Sequence, residues 1–283
     1  MPDYAIRTMT RRDLDTAVSW AAAEGWNPGR HDADSFYATD PSGFLMGWLD
    51  DEPIAAISVV KYGLSFGFLG FYIVKPAFRG QGYGFQIWQA GLTHLEGRMI
   101  GLDGVVAQQS NYLKSGFQLA YRNIRYEGFG RDVTSQLPAI QTVPLSSLPM
   151  DSIIAYDRPF FPDDRQIFLQ AWINQPDSTA LGIVENQILM GYGVLRPCVQ
   201  GYKVGPLFAE TAEIADALLS ALITKVEPDQ PFYLDVPEVN PAAVAIAQKY
   251  GMTSMFETAR MYRPTMPQLP THKIFGVTTF ELG

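Results

Sequence analysis

The sequence predicts an α/β (α+β) protein of two tandem units, each a mixed, mainly antiparallel sheet flanked by helices. Three observations carry this. At 283 residues the chain is long for one core and suits two units of about 130 to 140 residues. One order of elements, β-α-α-β-β-β-α-β-α-β, can be read twice along it. Short pieces also recur: Val74-Lys-Pro-Ala-Phe78 against Val204-Gly-Pro-Leu-Phe208, Leu102-Asp103 against Leu234-Asp235, and Gly116-Phe117 against Gly251-Met252. Such recurrence marks an internal repeat. The units are set at residues 1–130 and 138–283, with a link rich in turn residues and proline between them.

In the first unit, Tyr4 to Met9 alternates like a strand, and Thr10 can cap a helix from Arg12 to Ala23 that aligns Leu14, Ala17, Val18 and Ala21. Glu24-Gly-Trp-Asn-Pro-Gly29 ends it in a loop, and a short helix covers His31 to Ala38. Strands Phe44 to Leu49 and Pro53 to Lys61 flank an Asp50-Asp51 turn. The apolar run Phe68 to Val74 reads as a buried strand stopped by Pro76. A helix carrying Ile87, Trp88, Gly91, Leu92 and Leu95 follows. Strand Met99 to Leu102, helix Ala107 to Ser115 and strand Phe117 to Tyr126 complete the unit.

Gly130 to Leu148 holds the link and the first strand of the second unit, near Ile140 to Val143. Helices follow at Leu148 to Tyr156 and Asp163 to Asn174, then strands at Ser178 to Val184, Ile188 to Leu195 and Gly201 to Val204. Helix Thr211 to Lys225, strand Phe232 to Val236, helix Pro241 to Tyr250 and strand Met252 to Tyr262 come next. The tail from Lys273 to Leu282 can add one more strand.

Composition narrows the function. Net charge −8 and a pI near 4.9 argue against nucleic acid and anionic membranes, which reward a basic face. One cysteine, Cys198, excludes an internal disulfide and a multi-cysteine metal site, as suits a reducing compartment. His31, His94 and His272 show no metal-ligand spacing. The N-terminus has no apolar signal core, and no run reaches the ~18 apolar residues of a membrane span. A cytoplasmic monomer or homodimer is expected, with an acceptor that suits an acidic protein, such as an amine.

The stretch that carries chemistry is Arg79-Gly-Gln-Gly-Tyr-Gly84, between a buried strand and a helix. Glycines there let backbone N–H groups approach an anion, and the helix dipole favours negative charge. The dinucleotide fingerprint fails, because the spacing is G-x-G-x-G in mid-unit, and no Lys-Ser/Thr follows as a Walker loop requires. The spacing does match Arg/Gln-x-x-Gly-x-Gly/Ala, and in this it resembles the pyrophosphate loop of the GNAT N-acetyltransferase superfamily. Tyr112-Leu-Lys-Ser-Gly-Phe117 is similar to a second signature of that superfamily, Tyr-x-x-x-Gly-Phe. Glu24-Gly-Trp-Asn-Pro-Gly29, Leu102-Asp-Gly104, Asn111-Tyr112, Gly205-Pro-Leu-Phe208, Leu234-Asp-Val-Pro237 and Phe280-Glu-Leu-Gly283 together look like one bacterial tandem-GNAT group whose second domain is degenerate. That likeness covers nearly the whole chain.

The resemblance implies acetyl-CoA as cofactor, bound by the first domain through the backbone of Tyr72, Ile73 and Val74, the loop Arg79, Gly80, Gln81, Gly82, Tyr83 and Gly84, and Asn111. It also implies that the Tyr112 phenol protonates the departing thiolate, and that Trp26 and Asn27 shape the acceptor pocket. The second copy places Ala209, Glu210, Ala212 and Ile214 opposite Arg79, Gly80, Gly82 and Gly84. Glu210 and Glu213 would then repel a pyrophosphate at the helix start. Ala247 stands at the tyrosine position. Asn240 keeps an asparagine common in the family where the first copy has Val105. The degenerate domain is expected to close the acceptor site, with Phe160, Arg158 and Arg165 facing the acceptor; a domain-interface role for that cluster fits equally.

An ammonium near pKa ~10.4 must lose a proton before attacking a thioester. The buried strand carries no carboxylate for this. Glu24, then Asp103, then Asp32 are the candidates, each with an ordinary capping role open to it. Backbone N–H groups from Phe71 to Val74 would stabilise the oxyanion, and Gly70 marks a bulge that splays the strand. The function expected is acetyl transfer from acetyl-CoA to a primary amine of a small or amino-acid-like acceptor. Longer acyl groups, walled by Phe66, Phe68, Phe71 and Tyr72, and a non-catalytic acyl-CoA sensor are the alternatives.

Overall fold

The computed structural model describes residues 3–130 and 140–283. The expected link and the start of the second unit at 138 fall largely outside them. The first half runs β1 (Tyr4–Thr8), α1 (Arg11–Ala23), α2 (Asp32–Thr39), β2 (Phe44–Leu49), β3 (Glu52–Tyr62), β4 (Phe66–Val74), α3 (Tyr83–His94), β5 (Met99–Val105), α4 (Gln109–Lys114) and β6 (Gln118–Phe129). The second runs β7 (Val143–Pro144), α5 (Met150–Asp157), α6 (Gln166–Ile173), β8 (Thr179–Glu185), β9 (Ile188–Pro197), β10 (Tyr202–Ala209), α7 (Ala212–Ile223), β11 (Pro231–Pro237), α8 (Pro241–Lys249), β12 (Thr253–Arg263) and β13 (Ile274–Gly276).

Local chemistry explains the element boundaries. Thr10 and Asp13 form a reciprocal capping box at α1, which buries Leu14, Ala17 and Ala21. The helices α4 and α8 end alike. Gly116 and Gly251 both take positive φ, Phe117 N–H bonds back to Tyr112 C=O, and Met252 N–H to Ala247 C=O. This double closure needs an αL residue and so selects glycine. It also places Tyr112 and Ala247 at equivalent positions.

The two halves form one sheet, ordered β1-β2-β3-β4-β5-β12-β6-β11-β10-β9-β8-β7, with β13 added against β10. The order corrects the expectation that each half completes its own sheet. Strand β12 of the second half pairs with β5 of the first, and β6 of the first pairs with β11 of the second. Each half lends its last long strand to the other.

Buried charge holds the exchange in register. Asp103 on β5 faces Arg260 on β12, joined by two bonds of 2.9 and 2.5 Å, and Asp235 on β11 faces Arg125 on β6, joined by two of 2.7 Å. Leu102-Asp103 and Leu234-Asp235 are repeated pieces, so the two bidentate pairs are one interaction used twice. Burial disfavours Asp235 as a carboxylate, but Arg125 outweighs it and holds the group below its usual range.

Apolar packing unites the halves as well. Helices α3 and α4 cover one face of the first half, and α7 and α8 cover one face of the second. The cluster with α1, α2, α5 and α6 is shared by both halves, and Phe36 stacks on Trp172 at 5.9 Å across the boundary. Only Ile274–Gly276 of the tail is a strand. Residues 277–283 are buried, running to the first half, where Tyr62 donates to Leu282 C=O at 3.0 Å.

Removing one member of a buried pair strands the other charge, which costs about 3–5 kcal/mol. Arg260→Ala is expected to lose that much in urea unfolding. Asp103→Leu with Arg260→Met, which leaves no charge to strand, is expected to recover most of it.

Candidate functional site

The site opens where β4 leaves β5. The parallel pairing runs only from Phe66 opposite Met99 to Leu69 opposite Leu102. On its other side β4 stays paired with β3 to Val74, but Gly70 faces Ser58 and Ile73 faces Ala56. Phe71 and Tyr72 therefore oppose Ile57 alone, which is a bulge. Phe71 takes φ +45°, uncommon for a residue with a side chain, and its buried ring packs edge-on to Phe36. Beyond Leu69 the β4 edge that faced β5 has no partner strand. The wedge so formed is a cavity of about 600 Å³.

The glycine loop sits at its mouth. Gly80 and Gly82 have φ +76° and +89°, and a Cβ at either would meet nothing within 4 Å. Conformation, not crowding, selects glycine there, and the space above is open. A Cβ on Gly84 would lie 2.8 Å from Tyr72 Oη and 3.1 Å from Val74 Cγ2, so that glycine seats α3 on β4. Gly82 caps α3 without a side-chain bond. The free N–H groups of the first turn, with the helix dipole behind them, suit an anion.

Tyr72, Ile73, Val74, Arg79, Gly80, Gly82, Gly84 and Tyr112 all line the cavity. Tyr112 stacks on Trp88 at 5.5 Å, and a Cβ on Gly104 would collide with its ring. Its hydroxyl makes no hydrogen bond to a described residue. Burial, then Tyr72, raises its pKa well above that of a free phenol, so it stays protonated. Three of the expected cofactor residues turn their side chains elsewhere. Gln81 donates to Ala77 C=O, Tyr83 packs on Tyr4 and Phe78, and Asn111 donates to Gln108.

The candidate bases are all engaged. Glu24 lines the cavity, but Arg79 Nη2 holds it at 2.5 Å while Arg79 Nε donates to Val74 C=O. Asp103 is held by Arg260 and also accepts from Asn123 at 2.8 Å. Burial disfavours the Arg260 charge, yet Asp103 outweighs it and raises that guanidinium well above its ordinary range; burial likewise pushes the Asp103 carboxyl above its usual range, with Arg260 opposing. Asp32 is buried against Arg196 and accepts from Gly29 N–H.

The expected acceptor residues divide. Trp26 lines the cavity, and its carbonyl accepts from Arg125. Asn27 does not. Its amide exchanges bonds of 2.9 and 2.8 Å with the Gln200 backbone, tying the Glu24–Gly29 loop to the β9–β10 turn. Phe160 stacks on Phe208 at 4.4 Å in the core shared by both halves. Arg165 is spent on Asp157, with bonds of 2.7 and 2.6 Å, and Arg158 caps Phe161 C=O. Phe160 and Arg165 pack where the two halves meet, as the interface alternative expected, and none of the three lines the cavity.

What sequence reading missed is the far wall. Phe256 and Thr258 of β12, Phe280 and Glu281 of the tail, and Arg125 of β6 all line the cavity. Strand exchange brings them there, so nothing in the local pattern could reveal it. One signal existed in Gly70, where a Cβ would collide with the Glu281 carbonyl oxygen.

Residues 9–117 match the acetyltransferase (GNAT) family, and residues 153–276 match an acetyltransferase (GNAT) domain. The holothin acyltransferase of Pseudoalteromonas sp. (strain SANK 73390) is 31% identical over 264 residues, covering 93% of this chain and 89% of that protein. This chain is a GNAT acyltransferase-family member. The tandem fold recurs in a Pyrococcus horikoshii protein inferred to be an acetyltransferase, at TM-score 0.84 and 23% identity over 99% of this chain and 96% of that one. A tandem GNAT protein from the clavulanic acid biosynthesis pathway aligns at TM-score 0.66 and 12% identity, over 94% and 100%. GNAT proteins generally work with acyl-CoA, and the open glycine cradle at an uncapped helix start fits its pyrophosphate.

The second half of this GNAT protein has no such cradle. Pro206 lies within β10, which bulges between Val204 and Leu207, so Val204–Phe208 corresponds to the β4 bulge and not to the turn after Val74. That shifts the expected alignment. β10 passes almost directly into α7, whose start is capped by Thr211 donating no space to a ligand: its side chain accepts from Ile214 N–H. Glu213 adds a carboxylate held below its usual range by its own backbone N–H and the Thr211 hydroxyl.

Gly70→Ala forces the tail off β4. Overpacking of this kind costs about 1–3 kcal/mol, so the variant is expected to melt several degrees lower, with residues 277–283 gaining hydrogen exchange.

Proposed function

We propose that this chain transfers an acyl group from acetyl-CoA to the primary amine of a small-molecule or amino-acid-like acceptor. The observation that carries the reading is the meeting, in one cavity, of the open cradle Gly80–Gly84 and the unpartnered hydroxyl of Tyr112. A bound thioester supplies an electrophilic acyl carbon and a thiolate leaving group. The free edge of β4 past Leu69 offers backbone N–H groups to a developing oxyanion. Tyr112 stays protonated until needed and donates from Oη to the leaving sulfur, whose basicity is that of a thiol near pKa ~8.5. Apolar walls at Leu69, Leu102, Val105 and Phe71 keep water from the acyl group. The relative's named acceptor, holothin, supports small-molecule acylation over protein modification.

Calorimetric titration of acetyl-CoA tests the donor site. Wild type is expected to bind in the micromolar range. Gly82→Glu, which puts a carboxylate where the anion would sit and strains an αL position, is expected to abolish binding. Absence of binding by wild type would overturn the reading.

Tyr112→Phe separates an enzyme from a passive acyl-CoA sensor. Turnover is expected to fall about 10²-fold or more with acetyl-CoA affinity within a factor of three of wild type. Unchanged turnover would remove the tyrosine from the chemistry.

A further inference from the structure

Three acidic residues line the cavity: Glu24, Asp103 and Glu281. Two are neutralised at contact distance, Glu24 by Arg79 and Asp103 by Arg260. Glu281 is different. Its residue is buried, its carboxylate accepts from the Thr279 hydroxyl, and it makes no ion pair among the described residues. Buried carboxylates are seldom left so.

The surrounding charges explain how it is tolerated. Asp235 takes Arg125, and Asp32 takes Arg196. Lys203 on β10 has no carboxylate partner among the described residues; its ammonium donates to Asn27 C=O at 3.0 Å. Arg125, Arg196 and Lys203 all feel the Glu281 charge. Burial, then Arg125, holds the Lys203 ammonium below its ordinary pKa while Glu281 and Asp235 oppose them, so three basic and three acidic side chains share one buried field. The carboxylate has the Thr279 hydroxyl as its hydrogen-bond donor and no ion-pair partner among the described residues.

Its position is fixed by backbone. The Glu281 carbonyl lies against Gly70, the last residue before the bulge that opens β4, and accepts from Ser58 Oγ at 3.4 Å. Glu281 thus stands beside the open strand edge, on the side away from the glycine loop. Trp26, Phe71, Phe256 and Phe280 also line the cavity, and Phe280 lies 6.5 Å from Phe256 and over the Arg125 that bonds to Trp26 C=O. An anion among aromatic faces suits an organic ammonium, which gains from both.

Resting on the acyl-transfer reading, we propose that Glu281 is the general base, and that the acceptor is an aromatic or apolar primary amine held between these rings. The ammonium gives one proton to Glu281 Oε. The freed lone pair forms the C–N bond as the C–S bond breaks, and the C–S electron pair leaves on sulfur, which takes the Tyr112 proton. The second nitrogen proton restores Tyr112 through water, and Glu281 releases its own to solvent. No further reactant is needed. The second half thus supplies the base that β4 lacks.

The test compares wild type with Glu281→Gln, which keeps the shape and removes the charge, using 2-phenylethylamine as probe. Without any donor, calorimetry at pH 7 is expected to show at least tenfold weaker probe binding by the variant. Equal binding, or none by wild type, would overturn the assignment. With acetyl-CoA, kcat/KM is expected to fall 10²-fold or more, with CoA affinity and melting temperature unchanged. The deficit should narrow near pH 10, where solvent removes the amine proton. A loss under threefold with an unchanged pH profile would also overturn it. Failure of wild type to bind acetyl-CoA would instead sink the acyl-transfer reading, while the donor-free probe titration still decides whether Glu281 holds an amine.

Discussion

Two buried Asp–Arg pairs hold this molecule in its topology. Each is a bidentate contact between directly opposed residues, Asp103 with Arg260 and Asp235 with Arg125. Such pairs add little stability over an apolar isostere, but a strand set in the wrong register leaves one of them unsatisfied, at a cost of several kcal/mol. A one-residue slip would turn each arginine to the other face of the sheet. Arg125 and Arg260 stand at equivalent positions after Gly116 and Gly251, so each aspartate would meet an equivalent arginine in two separate sheets as well. The pairs therefore fix strand register at the junction, whichever half supplies the arginine.

The site follows from the exchange. Strand β12 stands beside β5, so Phe256 and Thr258 line the wedge where β4 departs. Arg125, carried over on β6, lies under the Phe280 ring at 4.9 Å and bonds to Trp26 C=O at 2.8 Å. One guanidinium thereby joins the second sheet, the tail and the acceptor loop. The Glu24–Gly29 loop is fixed from its other side by the Asn27–Gln200 exchange and by Lys203. The cavity walls come from six stretches of chain far apart in sequence, several of them anchored by buried polar bonds.

Much of this was legible in the sequence because it is local. Element order follows from periodicity and caps, and Gly80–Gly84 declares an anion cradle by backbone need. The repeat of Leu-Asp and of the αL glycine after α4 and α8 shows two related halves. The roles of individual carboxylates were not legible. Glu24, Asp103 and Asp32 sit near the right elements, yet each is claimed by an arginine 55, 157 or 164 residues away. Arg165 and Phe160 read as exposed chemistry because charge and aromatic residues cluster there, but a cluster that dense satisfies itself. Glu281 looked like part of a tail strand. Only the collision between Gly70 and its carbonyl explains why a glycine interrupts a buried apolar strand at that point.

The degenerate copy gains its role by losing another. In the first half the helix after the bulged strand begins with glycines and leaves its N–H groups free. In the second, Thr211 caps the equivalent helix, and Glu210 is drawn off to Lys273 at 2.5 Å. An anion-binding start and a self-capped start are alternatives, since the same N–H groups serve both. Self-capping lets α7 bury eight of its side chains and pack as a plain core helix. With no ligand to admit, the β10 bulge is filled from within: β13 pairs along it, and Gly205 lies against the Val277 and Thr278 carbonyls. The tail that fills this bulge continues to Gly70, at the edge of the other. One segment closes the wedge in the half that gave up its cradle and completes the wall in the half that kept it.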